Sequence, residues 1–279
     1  MYYLETNALR ILSNRLTQSY ILDKCYTSIL SICEIISGIK DDQSFKQRQG
    51  IIKKVFLSNI KMDLDLPENK LPKAYGISIK NSLSEKIIEL GNTLINSKSL
   101  VNFHANINNS QLIYCWSFVQ IYDRMGDKHF KNSFKDRQDK FDYSNPFMIQ
   151  VFNNRWNNLS DDLELRKRIL NDLIEYFTGF LLLPNPFFKI ADKDVQSLQK
   201  AYNHLLDIFF LCIGYFTGTK IIFKNAPSKN DYFDLVHLMY LRGESDIIVS
   251  NDNMLIKLMK KLWPKNINSL SEFEKSIVN

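Results

Sequence analysis

The feature that most constrains the fold is an alternation of short β-prone runs with helical repeats at the start of the chain. Residues 2–4 form a β-prone run, and apolar residues then recur at helical spacing over residues 9–16. A second run at residues 25–29 precedes another helical repeat over residues 32–39. Strand, helix, strand and helix in this order predict a parallel sheet of the α/β class.

The end of the chain returns to the same alternation. Residues 232–241 are predicted to be helical, and residues 246–250 form a buried strand. A helix over residues 254–262, a short strand at 267–270 and a helix over 271–277 follow. We therefore predict an α/β domain, a parallel sheet flanked by helices, formed by residues 1–40 and 221–279.

The middle of the chain, residues 41–220, differs from both ends. Its apolar residues favour helices over residues 51–57, 83–95, 107–125, 163–177 and 194–216. A loop is predicted at residues 64–72, and Pro184 and Pro186 separate the last two helices. Because no strand alternation is evident there, we predict a largely helical insertion that interrupts the sheet domain.

Composition limits the functional classes. A net charge of +6 fits a polyanionic partner, although a general richness in lysine and asparagine explains it equally well. The four cysteines lack metal-binding spacing and predict buried thiols in a cytoplasmic protein. No apolar run reaches the length of about 20 residues that crosses a bilayer, so no membrane association is expected.

Acidic residues recur at the predicted strand ends. Glu5 and Asp252 each follow a strand, whereas Glu34 and Asp234 lie early in helices. Ligands of parallel sheets bind beyond the carboxyl ends of the strands, so all four side chains are predicted to share one cleft. Convergent carboxylates need a cation between them, and hard oxygen ligands favour Mg²⁺ or Mn²⁺. Such an ion activates water for attack on a phosphate.

These stretches resemble the PIN-domain family of Mg²⁺- or Mn²⁺-dependent nucleases. The family's first strand ends in Asp-Thr-Asn, and this chain has Glu5-Thr6-Asn7. Its second acid occurs in Glu-Leu/Ile-x-x-Gly, matched by residues 34–38, and its third in Asp-x-x-His, matched by residues 234–237. Its fourth acid follows a strand as Thr/Ser-x-Asp, matched by residues 250–252. The motifs cover about a third of the chain.

The resemblance implies that Glu5, Glu34, Asp234 and Asp252 are the catalytic and metal-binding residues of a nuclease. Hydrolysis of phosphodiester bonds is expected, in RNA rather than DNA. The resemblance further suggests a toxin-like or defence ribonuclease restrained by an inhibitory protein partner.

Three short polar side chains beside the acids have two explanations. Thr6, Asn7 and Ser250 either orient the carboxylates or cap the helices that follow the strands.

Two alternatives to a nuclease remain open. Glu5 departs from the family's aspartate, which favours a non-catalytic scaffold of the same fold that binds nucleic acid or protein. A mainly helical interaction protein, whose acids never meet, is the second.

The acids also have ordinary explanations. Glu5 and Glu34 could be solvent-exposed acids on a strand end and a helix, and Asp252 lies in a turn-forming Asn-Asp-Asn string. Asp234 could stabilise a helix start through the dipole, and Asp231 competes for the role of third acid.

His237 and the basic residues of the middle segment are explained without a ligand. A packing role is favoured for His237 over metal binding. The basic clusters at residues 46–54 and 128–140 are interpreted as solvated surface rather than as an RNA grip.

Overall fold

The structure is a computed structural model that describes residues 1–16, 19–79, 82–108, 110–159, 162–182 and 194–278. Its centre is one parallel sheet with the strand order β3-β2-β1-β4-β5. The strands are β1 (Tyr2–Leu4), β2 (Cys25–Ser28), β3 (Lys61–Asp63), β4 (Ile247–Ser250) and β5 (Ile267–Ser269). The predicted α/β class with a parallel sheet flanked by helices is confirmed.

Helices account for most of the described chain. In chain order they are α1 (Thr6–Leu12), α2 (Ser19–Lys24), α3 (Ile29–Ser37), α4 (Asp42–Leu57), α5 (Pro67–Ala74), α6 (Ser82–Asn96), α7 (Leu100–Asn108), α8 (Leu112–Lys140), α9 (Pro146–Asn157), α10 (Leu163–Leu181), α11 (Val195–Ala201), α12 (Asp207–Ile222), α13 (Asp231–Val236), α14 (Asn253–Leu262) and α15 (Leu270–Val278). A 3-10 turn, His237–Tyr240, continues α13. None of the described helices combines the length and apolarity that a membrane crossing requires.

The sheet is buried on both faces. Tyr3 belongs to a core shared with α12 and α14, whereas its neighbour Leu4 belongs to a core shared with α1, α3 and α6. The same alternation places Ile248 in the first core and Val249 in the second. Successive side chains of a strand point to opposite faces, so helices must cover both sides of this sheet.

The strand order reverses beside β1. From β1 the chain proceeds outward through β2 to β3, and it later returns to place β4 on the other side of β1. All pairs are parallel, so the carboxyl ends of β1 and β4 flank the reversal point. In open α/β sheets this is the position at which ligands bind.

The middle segment requires two corrections. It was predicted to lack strands, but β3 lies within it and pairs with β2. β3 has three residues at the edge of the sheet, too few and too polar to show an alternating pattern. The predicted loop at residues 64–72 contains the start of α5, which begins with Pro67 because proline suits the first position of a helix.

Two predicted helices are each divided. The helix predicted over residues 194–216 is interrupted between α11 and α12, and the chain turns there at His204, whose φ is 63°. The helix predicted over residues 107–125 includes the end of α7 and the start of α8. Pro184 and Pro186 lie outside the described residues.

The middle segment also lacks a core of its own in the described residues. Phe45 and Ile52 share a core with Leu4, and Phe210 shares the other core with Tyr3. Residues 41–220 therefore pack on the same sheet that the two ends build.

The helix α8 connects the two cores and positions α13. Two of its side chains, Phe130 and Phe134, are buried, although this part of the chain was predicted to be solvated. At Gly126 a Cβ atom would lie 2.7 Å from the ring of Tyr232 and 3.0 Å from that of Phe233. The glycine thus allows α13, which carries Asp234, to approach α8 closely.

Candidate active site

Glu5 is buried directly after β1. Its side chain is the N-cap of α1 and accepts hydrogen bonds from the backbone N–H groups of Asn7 (2.7 Å) and Ala8 (3.2 Å). The residue is only 4% exposed, so the explanation as an exposed acid is wrong. Burial raises the pKa of the Glu5 carboxyl, although the neighbouring His237 and the helix amides oppose this effect.

Glu34 is half-buried and is hydrogen-bonded to a buried histidine. Its Oε2 lies 2.8 Å from Nε2 of His237 and accepts a hydrogen bond from the Thr6 hydroxyl. On the other side of the imidazole, Nδ1 lies 2.6 Å from the Tyr3 hydroxyl, which is 2.7 Å from Oγ of Ser28. Both ring nitrogens of His237 therefore have protein partners.

This network changes the basicity of His237. Burial alone would lower the pKa of the imidazole, but the charge and hydrogen bond of Glu34 raise it overall, helped by Glu5. The histidine is fully enclosed, as the predicted packing role requires, and it fixes the orientation of the Glu34 carboxylate.

Asp234 lies in the first turn of α13 and is half-buried. The helix starts after Asn230, whose φ of 81° lies in the left-handed region that asparagine tolerates. Burial raises the pKa of the Asp234 carboxyl to about 7, and the charges of Asp252, Glu34 and Glu5 add to the increase. Burial and the crowded acids together bring the pKa of this carboxyl close to neutral pH.

Asp231, the rival third acid, has a different environment. It accepts a hydrogen bond from the backbone N–H of Ser228 (2.6 Å) and lies 3.7 Å from Nζ of Lys220. Asp234 lines the cavity described below, whereas Asp231 does not.

Asp252 follows β4 and is the N-cap of α14. It accepts a hydrogen bond from the backbone N–H of Leu255 (2.7 Å), while its own N–H donates to Oγ of Ser250 (3.0 Å). The helix cap and the Asn-Asp-Asn turn explain part of its role. Its negative charge is nevertheless close enough to raise the pKa of Asp234.

One small cavity unites most of the predicted residues. It has a volume of about 160 Å³. The described residues that line it are Glu5, Thr6, Asn7, Arg10, Glu34, Arg48, Asn230, Phe233, Asp234 and His237. Three of the four predicted acids thus share the cavity, whereas Asp252 and Ser250 lie outside its lining.

The three predicted polar neighbours have different environments. Thr6 donates its hydroxyl hydrogen to Glu34, and Ser250 receives the backbone N–H of Asp252. Asn7 is exposed and reaches Glu5 through its backbone N–H. Because Glu5 and Asp252 themselves cap α1 and α14, helix capping does not explain Thr6 or Ser250.

Two arginines line the cavity. Arg48 belongs to the basic cluster at residues 46–54, whose interpretation as solvated surface is wrong for this residue, and Arg10 was not identified from the sequence. Arg10 lies on α1 four residues after Thr6, a spacing that could have placed it on the same helix face. Arg48 comes from α4 and lies over Gly38, where a Cβ atom would be 2.7 Å from its guanidinium. Burial and the charge of Arg10 lower the pKa of Arg48. Both arginine side chains line the same cavity as the acids.

The carboxylate oxygens at the cavity are suitable ligands for a hard cation, but they are not arranged as a metal-binding cluster in the described residues. Carboxylate oxygens are what Mg²⁺ and Mn²⁺ prefer, and the acids crowd one another enough to raise the pKa of Asp234. However, the described residues contain no group of three or more His, Cys, Asp or Glu side chains arranged to hold a metal ion. Glu34 is engaged by His237 and Thr6, and Glu5 by the amides of α1. Both contacts of Glu34 involve Oε2, so its Oε1 can meet a metal ion while His237 stays in place, whereas Glu5 uses both oxygens and has to exchange partners.

The chain was compared with models of protein families, with curated proteins and with solved structures. No family model, curated protein or solved structure matches it. The resemblance to PIN-domain nucleases therefore depends on the four motifs alone.

Proposed function

We propose that the chain is a metal-dependent nuclease of the PIN-like type that hydrolyses phosphodiester bonds in RNA. One observation carries the proposal. Glu5, Glu34 and Asp234 line a single cavity at the reversal point of a parallel sheet, and the charge of Asp252 reaches Asp234. Packing does not require acids to meet in this way, because their mutual repulsion opposes folding and the neighbouring cations offset it without removing the raised pKa of Asp234.

Glu5, Glu34, Asp234 and Asp252 would hold the metal. When bound, Mg²⁺ or Mn²⁺ activates water and stabilises charge on the phosphate. His237 keeps the carboxylate of Glu34 directed at the cavity, since its own position is fixed by Tyr3. This role makes His237 a positioning residue.

Arg10 and Arg48 would bind the phosphate of the substrate. A guanidinium presents paired N–H donors that match two phosphate oxygens. The two cations lie beside each other at the cavity, so an anion between them relieves their repulsion.

Asp234 would lose its proton when the metal binds. Its pKa of about 7 reflects burial and the neighbouring acids, and a cation between these acids would lower that pKa again. Metal binding should therefore weaken below about pH 7.

The biological setting is proposed from the resemblance. A toxin-like or defence ribonuclease restrained by an inhibitory protein would act in the cytoplasm. The four cysteines are buried free thiols, which is what a reducing compartment allows.

A non-catalytic scaffold that binds nucleic acid or protein is the second candidate. The observation that favours it is the missing ligand cluster in the described residues, together with the capping of α1 by Glu5. In a scaffold the acids would keep their present partners.

The test is cleavage of labelled single-stranded RNA in Mn²⁺, Mg²⁺ or EDTA, comparing the wild type with Asp252→Asn. Asparagine is as good an N-cap as aspartate, so this change removes charge and leaves α14 capped. We expect metal-dependent cleavage that falls by roughly 100-fold in the variant. Asp41→Asn, the same substitution at the N-cap of α4, is the control and should keep full activity.

Two results would contradict the proposal. Equal cleavage by the wild type and Asp252→Asn would identify a contaminating nuclease. RNA binding without cleavage in either metal would support the scaffold.

A further inference from the structure

A groove with a volume of about 530 Å³ lies between α12 and α14. Its lining includes Tyr215, Lys220 and Phe223 from α12 and the segment after it, and Asn253, Lys257 and Lys261 from α14. The α14 residues recur at helical spacing, so the groove follows one side of that helix along its length. We call it the α12–α14 groove.

One end of the groove adjoins a candidate acid in the sequence. Asn253 immediately follows Asp252, the residue whose charge reaches Asp234. From there α14 extends for ten residues, or about 15 Å, to its end at Leu262.

The groove is basic. Lys220, Lys257 and Lys261 line it, and its lining contains no acidic side chain among the residues that the structure describes. Lys220 is partly neutralised by Asp231, 3.7 Å away. Lys257 is exposed on α14 and is the best placed of the three to meet a phosphate.

Aromatic rings alternate with these lysines. Phe223 is 61% exposed, so its ring is accessible to a ligand. Nζ of Lys261 lies 4.9 Å from the centre of the Tyr215 ring, and Nζ of Lys220 lies 5.3 Å from that of Phe216. Aromatic faces with nearby cations are the elements that hold single strands, through base stacking and phosphate contacts.

We propose that the α12–α14 groove binds single-stranded nucleic acid adjacent to the scissile phosphate. Lys257 and Lys261 contact the backbone, and a base stacks on Phe223. The inference rests on the proposed nuclease function, which requires a nucleic-acid strand near the acids, and the lysines and aromatic rings of the groove complement such a strand. A duplex does not fit, since its bases are paired and unavailable for stacking.

The test is the affinity for a fluorescein-labelled 12-nucleotide single-stranded RNA in EDTA, measured by fluorescence anisotropy with intact protein. Lys257→Gln and Phe223→Ala are the variants. Lys53→Gln and Tyr114→Ala are the matched controls, since both residues are exposed and lie on α4 and α8, away from the groove.

We expect each groove variant to raise Kd about 10-fold, because stacking or a phosphate contact contributes an affinity factor of this size. Lys257→Gln should also reduce the dependence of log Kd on log salt by about 0.7, the loss of one phosphate contact. The controls should bind like the wild type, and a duplex of equal length should bind more weakly. Equal affinities for groove variants and controls would overturn the proposal. A higher affinity for a labelled polyglutamate peptide than for the RNA would also overturn the proposal.

The two proposals fail in different ways. Single-stranded RNA that binds through Phe223 and Lys257 but is never cut retains the groove and rejects the nuclease. Metal-dependent cleavage whose KM is unchanged in both groove variants retains the nuclease and rejects the groove.

Discussion

The acidic cavity and the α12–α14 groove differ in size and in chemistry. The cavity measures about 160 Å³ and collects Glu5, Glu34 and Asp234, whereas the groove measures about 530 Å³ and is basic and aromatic in its described lining. A cation and one phosphate fit the first, and a length of chain fits the second. The difference separates the two tasks of a nuclease, which are chemistry at one bond and grip on the strand.

The two regions also differ in how firmly their side chains are held. Glu5 and Asp252 are fixed as helix caps, and Glu34 is bonded to a buried histidine. Phe223 and Lys257 of the groove are exposed. Substitutions in the cavity should therefore affect stability as well as catalysis, whereas those in the groove should affect binding alone.

The largest expected effect comes from Asp234→Asn. Because this carboxyl is central to the acids, cleavage of single-stranded RNA should fall by roughly 100-fold or more. Binding of the same RNA in EDTA should be unchanged, since the groove is intact. Asp231→Asn is the control for the rival acid and should cleave like the wild type. If Asp231→Asn loses activity and Asp234→Asn does not, the assignment of the third acid is wrong.

The acids should also make stability depend on pH. The folded protein raises the pKa of Asp234 to about 7, so between about pH 4 and pH 7 the folded state binds more protons than the unfolded state. The free energy of unfolding should therefore fall as pH rises through this window, by on the order of 2 kcal/mol after allowance for solvent screening. Asp234→Asn should reduce this slope. Urea unfolding at pH 5 and pH 8 measures it, and equal slopes in both proteins would contradict the account.

Substitution of Arg48 should affect catalysis in the cavity but not RNA binding in the groove. If it contacts the scissile phosphate, Arg48→Gln should lower kcat/KM roughly 10-fold, the value of one charge-assisted hydrogen bond. RNA binding through the groove should persist. Arg15→Gln removes a surface arginine that pairs with Glu274 and is the control. Steady-state kinetics of both variants decide the matter, and equal rates would remove Arg48 from the site.

The smallest effect is expected from Gly38→Ala. The new methyl group would meet the guanidinium of Arg48, whose flexible side chain can move aside. Cleavage should fall by about 2- to 5-fold, less than in Arg48→Gln, because the cation is displaced and not lost. In the double variant with Arg48→Gln the glycine substitution should have no further effect. Independent, additive losses would show that Gly38 acts through another contact.

Local signals in the sequence predicted most of the strands of the sheet. They also predicted three of the acids that line the small cavity. The strand ends before Glu5 and before Asp252 could be read because a short apolar run stops there at polar residues. Glu34 and Asp234 were placed on helices by ordinary periodicity. These features depend on a few adjacent residues.

The remaining features depend on distant parts of the chain. β3 is recognisable only through its pairing with β2, and Arg48 reaches the cavity only because α4 packs against α3. The groove needs α12 and α14, whose facing residues lie about 40 positions apart in the sequence. The hydrogen bonds that occupy Glu34 also arise from three separate elements, so no local pattern could reveal them.

Binding of Mn²⁺ tests the central claim most directly, because it asks whether the acids form a metal site. Isothermal titration calorimetry at pH 8 should compare the wild type with Asp234→Asn and Asp231→Asn. We predict one or two Mn²⁺ ions bound by the wild type and by Asp231→Asn, with affinity at least about 10-fold lower in Asp234→Asn. No Mn²⁺ binding by the wild type, or equal binding by all three proteins, would contradict the account.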